Sequence, residues 1–170
     1  MNRDGDFFSG KLFRLDALAL EIDRLKAEGK RIVFANGIFD ILHVGHIRYF
    51  RYAKKHGDIL VVGVNGDASA RKLEGEGRPF TNQDERLEVL SGIEPIDYLI
   101  LFEDDDVTKL LLALKPHFHA KGTDYTVDSV PERETVRSYG GEVIICGDPK
   151  NHSSSVIRER IENSPPEAET

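Results

Sequence analysis

Arg31-Ile32-Val33-Phe34-Ala35-Asn36-Gly37-Ile38-Phe39-Asp40-Ile41-Leu42-His43-Val44-Gly45-His46 is the stretch that decides the fold. Ile32, Val33 and Phe34 make a short apolar run of the kind that forms a buried strand. Asn36-Gly37 then breaks it, because both residues tolerate backbone angles that others avoid. From about His43 the spacing turns helical and runs through Ile47, Phe50 and Ala53 until Gly57. Strand, turn and helix start therefore follow within sixteen residues. Both imidazoles fall at the first turn of a helix, where unpaired backbone N–H groups and the macrodipole attract anions. Phosphate is the guest this arrangement suits.

Outward from that stretch the same alternation repeats. Leu15, Leu18, Ala19, Ile22 and Leu25 recur at helical spacing, and Gly29 stops that helix. Asp58–Asn65 is continuously apolar, as parallel strands usually are. Gly66 to Pro79 reads as a Gly-rich loop carrying Arg71, Lys72 and Arg78. Asn82 with Glu85 three residues on predicts a capping box. Strands follow at Tyr98–Phe102, His117–Lys121 and Val143–Cys146, with helices at Val107–Leu114 and Glu132–Tyr139 between them and a last helix opened by Ser153. The expectation is an α/β fold: a single-domain, Rossmann-like, doubly wound parallel five-stranded sheet. Residues 1–12 read as a loose leader, 13–163 as the domain, and 164–170 as a disordered tail by composition.

At 170 residues the chain is large enough to bury about 70% of the surface its unfolded form exposes. Its net charge of −7 disfavours nucleic acid and anionic membranes as partners, so an anionic substrate needs a local cluster of cations. Cys146 is the only cysteine, which fits a reducing compartment. No run approaches the roughly 20 apolar residues of a membrane span, and Met1–Gly10 lacks a signal-peptide core. A cytoplasmic location is the expectation.

In such a sheet, ligands bind beyond the C-terminal strand edges. Four segments follow strand ends and belong on one rim: His43–His46, Asn65-Gly66-Asp67, Lys121-Gly122-Thr123-Asp124-Tyr125 and Ser153-Ser154-Ser155. His43-Val44-Gly45-His46 in this position resembles the signature of the nucleotidylyltransferase superfamily, and Ser153-Ser154-Ser155-Val156-Ile157-Arg158 resembles its second signature. Two motifs in the right order at opposite ends of a small domain are far more specific than either alone. The nearer resemblance is to heptose 1-phosphate adenylyltransferases of lipopolysaccharide precursor synthesis. It is carried by Asn36–His46, Val64–Ser69, Gly77-Arg78-Pro79, Lys121–Tyr125 and Gly140–Val143. Some of those enzymes are fused to a sugar kinase; this chain looks like the stand-alone form. Glycerol 3-phosphate cytidylyltransferases are the alternative, although the insertion Asp148–His152 differs from the Arg-Thr-Glu-Gly that precedes their serine motif. A non-catalytic nucleotide-binding module is the alternative of a different class.

The resemblance implies transfer of AMP from ATP to D-glycero-β-D-manno-heptose 1-phosphate, with Mg²⁺ helping to hold the triphosphate and no protein ligand for the metal assigned. His43, His46 and Arg158 are the implied catalytic residues. Nucleotide contacts fall to Asn36, Gly37, Phe39, Gly45, Arg86, Lys121, Gly122, Asp124, Tyr125, Ser153, Ser154 and Ser155. Acceptor contacts fall to Asp40, Asn65, Asp67, Arg71 and Lys72. A homodimer or higher homo-oligomer is a family-level expectation. Structural readings stand beside these. His43 and His46 also suit a helix cap, Ser153–Ser155 an N-cap, Asp67 an Asx turn, and Arg71 and Lys72 solvated loop charges. Glu103–Asp106 reads as a helix N-terminus rather than a metal cluster, and His117 and His119 as structural strand residues.

Overall fold

Five parallel strands lie in the order β3-β2-β1-β4-β5: β1 (Ile32–Gly37), β2 (Ile59–Asn65), β3 (Tyr98–Phe102), β4 (Phe118–Gly122) and β5 (Glu142–Cys146). The computed structural model describes residue 8, residues 10–148 and residues 154–163. Ser153, most of the expected leader and the expected tail lie outside the described residues. Of that leader, Lys11 and Leu12 are not loose. The Lys11 carbonyl accepts from the Leu99 N–H at 2.8 Å, and Leu12 bridges Leu99 in parallel on the edge strand.

Among the described residues, seven helices connect or flank the strands: α1 (Leu15–Ala27), α2 (Val44–Lys54), α3 (Asp67–Glu74), α4 (Gln83–Ser91), α5 (Thr108–Leu114), α6 (Arg133–Ser138) and α7 (Ser154–Glu162). A 3-10 turn at Val127–Ser129 precedes α6. Side chains alternate across each strand, so each face builds its own core. Ile32, Phe34, Val61 and Ile100 pack with Leu18 and Ile22 of α1 and with Leu111 of α5. Val33, Ala35, Leu60, Val62 and Leu99 pack on the other side with Phe50 of α2 and Leu87 and Leu90 of α4. Burying each such Leu, Ile, Val or Phe stabilises the fold by roughly 1.5–3 kcal/mol.

The Gly66–Pro79 segment departs from the expected loop: most of it is α3. Its buried residues are Ser69 and Ala70, small side chains that leave no apolar stripe to read. Tertiary ties fix it instead. Asn65 Nδ2 donates to Ser69 Oγ at 2.8 Å, and Glu103 Oε2 accepts from the Ser69 N–H at 3.3 Å. A Cβ on Gly66 would lie 1.9 Å from Glu103 Oε1, so a side chain there would displace the carboxylate that holds the Ser69 N–H. The capping box at α4 forms as expected, with the Glu85 N–H donating to Asn82 Oδ1 at 3.0 Å and the Asn82 N–H to Glu85 Oε2 at 3.1 Å. Asp106 Oδ1 accepts from the Thr108 N–H at 2.8 Å, so the acidic run serves the start of α5.

Strand order reverses at β1, which has β2 on one side and β4 on the other. The crevice between the C-terminal ends of β1 and β4 is the topological switch point, where this kind of sheet binds its ligands.

Candidate active site

A cavity of about 570 Å³ opens at the crevice. Its floor is Asn36 and Gly37 at the end of β1 and Lys121 and Gly122 at the end of β4. Phe39, Asp40, His43, Gly45 and His46 line it from the turn into α2, and Asn65 from the end of β2. Asp124 and Tyr125 contribute from the loop after β4. Of the expected nucleotide contacts, eight are thus brought together: Asn36, Gly37, Phe39, Gly45, Lys121, Gly122, Asp124 and Tyr125.

The turn that aims α2 at the cavity depends on a close approach. Phe39 has a positive φ of 55°, and its ring lies where a Cβ on Gly37 would come within 2.9 Å. The ring then meets Phe50 at 5.1 Å between centroids and His46 edge-on at 5.6 Å. This places His43 as the N-cap of α2, in extended conformation.

The histidines form a reciprocal cap. His43 Nδ1 accepts from the Gly45 N–H at 3.1 Å, and His46 Nδ1 accepts from the His43 N–H at 3.3 Å. A ring nitrogen that accepts carries no proton, so each hydrogen sits on Nε2. The capping and ligand-binding readings are compatible at His46, where Nδ1 holds the helix start and the hydrogen on Nε2 makes it a donor. The two rings stand 4.0 Å apart. Burial, together with the neighbouring His43, pushes the His46 pKa down to about 4. His46 is a neutral donor at physiological pH.

Lys121 is the buried cation of the floor. Its ammonium lies 3.3 Å from Glu132 Oε2 and 5.1 Å above the centre of the Tyr125 ring. Arg78 supplies a second cation to the wall. Its Nη1 is 3.1 Å from Asp40 Oδ2, its Nε is 3.3 Å from Glu74, and its guanidinium stacks on Phe80 at 4.2 Å. Both cations are ion-paired, Lys121 with Glu132 and Arg78 with Asp40 and Glu74, so carboxylates offset their charge at the wall.

Several of the expected contacts have partners within the protein or lie away from the cavity. Asp40 borders the cavity, but its carboxylate is nearly buried and already accepts from the Phe80 and Thr81 N–H groups, the Thr81 hydroxyl and Arg78. Burial raises its pKa, yet those donors outweigh burial and hold it below the usual aspartate value. Asp40 thus organises the 78–81 segment rather than facing an acceptor. Arg86 is only 2% exposed and does not line the cavity. It donates to the carbonyls of Thr81, Ile38 and Asn65 and to Asp67 Oδ1, clamping three loops together. That pairing also removes Asp67 from the wall. Arg71 and Lys72 are exposed on α3, outside the cavity, and Lys72 pairs with Asp105 at 2.8 Å. The lining of α3 comes from Leu73 and Glu74 instead.

The second motif is not joined to the cavity by the described residues. Ser154 and Ser155 begin α7, and Arg158 Nε lies 3.7 Å from Glu162 on the same helix. Arg158 is not among the residues lining the cavity. Sequence reasoning also missed lining residues. Tyr49 stands one turn after His46 and donates its hydroxyl to the Ala120 carbonyl at 2.8 Å, tying α2 to β4; its helical phase with His46 was the available signal. Cys146 borders the cavity, and burial pushes its thiol up to about 12. Asp148 joins the wall by pairing with Arg48 at 2.6 Å.

Among the described residues, no group of three or more His, Cys, Asp or Glu side chains is placed to hold a metal ion. No helix among the described residues is long and apolar enough to cross a membrane.

A doubly wound sheet with a histidine-capped helix start and the buried Lys121 at its switch point has the layout of nucleotide-binding α/β folds. The family model described as cytidylyltransferase-like matches residues 34–160, and the chain belongs to that family and is a nucleotidyltransferase. It is similar to the bifunctional protein HldE of Pelobacter propionicus, 48% identical over 151 residues, which are 89% of this chain and 31% of that protein. The HldE of Geobacter sulfurreducens is 46% identical over the same length. The chain therefore spans about a third of the length of the curated relatives it matches. Among solved structures, the lipopolysaccharide core biosynthesis protein from Thermoplasma volcanium matches with a TM-score of 0.63 at 31% identity, covering 72% of this chain and 100% of that one. The pantoate-beta-alanine ligase from Francisella tularensis, 16% identical, shares the fold with a TM-score of 0.60 over 87% of this chain and 75% of that one.

Proposed function

We propose that this chain transfers AMP from ATP to a sugar 1-phosphate, D-glycero-β-D-manno-heptose 1-phosphate, releasing pyrophosphate. The observation that carries the reading is His46, capped through Nδ1 and so a donor through Nε2, lining a cavity at the β1–β4 switch point together with His43 and Lys121. The similarity to HldE and to a lipopolysaccharide core biosynthesis protein supports the acceptor class.

The chemistry asks little of the protein beyond positioning. A phosphate oxygen of the acceptor attacks the α-phosphorus, and the bond to the β,γ-diphosphate breaks. The second pKa of a phosphate monoester is ~6, so the nucleophile is already ionised and needs no general base. What remains is to align two polyanions and stabilise the charge that develops between them. Neutral Nε2–H donors do this without moving a proton. Lys121 balances the added charge, and Arg158 with Ser153–Ser155 is assigned to the triphosphate by the family signature. Mg²⁺ arriving with ATP neutralises phosphate oxygens. We further assign the site to a cytoplasmic protein acting as a homodimer or larger assembly.

The test is a pyrophosphate-release matrix of ATP, CTP, GTP and UTP against heptose 1-phosphate, glycerol 3-phosphate and phosphoethanolamine, with and without Mg²⁺. The expected result is Mg²⁺-dependent release highest with ATP and heptose 1-phosphate. Preference for CTP with glycerol 3-phosphate would transfer the reading to the cytidylyltransferase branch, and no release with any pair would leave a binding module.

A further inference from the structure

The fully buried His119 on β4 makes a contact that the reaction as described does not use. Its Nε2 lies 3.1 Å from Asn36 Oδ1, and its Nδ1 is buried with no partner among the described residues. Two arrangements fit that distance. In one, Nε2–H donates to the Asn36 carbonyl oxygen and Nδ1 is a bare lone pair. In the other, the Asn36 amide is turned over, Nε2 accepts, and Nδ1–H is a buried donor with nothing to meet. Orphaned buried donors are the rarer and costlier defect. The first arrangement therefore prevails, and the Asn36 oxygen points at His119.

Asn36 lines the cavity, and its Nδ2 has no partner among the described residues. With the oxygen engaged, the face it turns to the cavity is a donor only. We infer that His119 is a positioning residue that locks the Asn36 amide so that its NH₂ group donates to an acceptor atom of the bound nucleoside triphosphate. This rests on the proposed nucleotide site and deepens it. The lock does not depend on ordinary pH, because burial, reinforced by the Lys121 charge, depresses the His119 pKa to about 3. Its ring is also held in place by a tilted contact with Phe34 at 5.8 Å between centroids.

The experiment measures ATP affinity by calorimetry for the wild type, His119→Phe, His119→Gln, Asn36→Ala and the His119→Phe/Asn36→Ala double variant. It is paired with nitrogen NMR of the His119 ring. His119→Phe should weaken ATP binding roughly 10-fold, the scale for one hydrogen bond to a charged group. His119→Gln, which restores an N–H donor, should recover most of that loss. In the Asn36→Ala background, His119→Phe should add nothing, since its effect runs through the amide. The NMR should show a protonated Nε2 and a bare Nδ1. Equal affinity in His119→Phe and wild type, additive losses in the double variant, or a protonated Nδ1 would each overturn the inference. Should His119→Phe fail to fold, the glutamine variant and the ring nitrogens decide it. ATP binding that obeys these relations without any pyrophosphate release would sink the proposed transfer reaction and leave this inference standing.

Discussion

A histidine whose Nδ1 is tied to a backbone N–H is a one-sided donor, and both site histidines are of this kind. His46→Ala should therefore lower kcat by ~10²–10³ with the fold retained, the scale for losing one positioned donor. His46→Gln, which keeps an amide N–H, should retain more activity than His46→Ala. Steady-state kinetics on folded protein checks both, and a near-normal kcat for His46→Ala would reduce the histidine to a cap. Asp40 behaves differently. Because its carboxylate already accepts from Phe80, Thr81 and Arg78, Asp40→Asn should cost about 1–3 kcal/mol of stability, seen as a lower denaturation midpoint. Its activity loss should be the same with every acceptor. A loss confined to polyhydroxyl acceptors would restore Asp40 to the acceptor surface.

At the scale of elements, what the sequence made legible was whatever periodicity or capping chemistry announces. The strand ends, the α2 start and the Asn82–Glu85 box came out within a residue or two of the structure. Helix α3 did not, because the residues it buries are Ser69 and Ala70 and its stability comes from contacts with β2 and Glu103. The same blindness affected Arg86. A lone arginine on a helix looks alike whether it meets a phosphate or three carbonyls from distant loops, and only the fold distinguishes them. Removing that guanidinium leaves those carbonyls and Asp67 unpaired. Arg86→Met should thus destabilise the protein by about 3 kcal/mol or more, and Arg86→Lys by nearly as much, since one ammonium cannot span the three sites. Chemical denaturation measures this, and a variant of wild-type stability with weakened ATP binding would return Arg86 to the nucleotide.

For the molecule as a whole, buried neutral histidines set the acid limit. His46 titrates at about 4 and His119 at about 3 in the folded protein, below the ~6.5 of an unfolded histidine. Between those values the unfolded chain binds more protons, so stability falls as pH drops below ~6.5 and keeps falling until the folded pKa values are reached. Asp40, also held low, adds loss in the same direction at the acid end. The melting temperature should decline steadily from about pH 6.5 to 4, and His119→Gln should flatten part of that slope. A melting temperature constant over that range would mean these rings are solvated. The central claim, that neutral donors at the β1–β4 crevice carry nucleotidyl transfer, is tested most directly by following label from ATP into product. ATP labelled at the α-phosphorus should place its label in the sugar nucleotide, and ATP labelled at the γ-phosphorus should place its label in pyrophosphate. Both transfers should collapse together in His46→Ala. Appearance of the γ-label on the sugar, or label transfer unaffected by His46→Ala, would contradict the account.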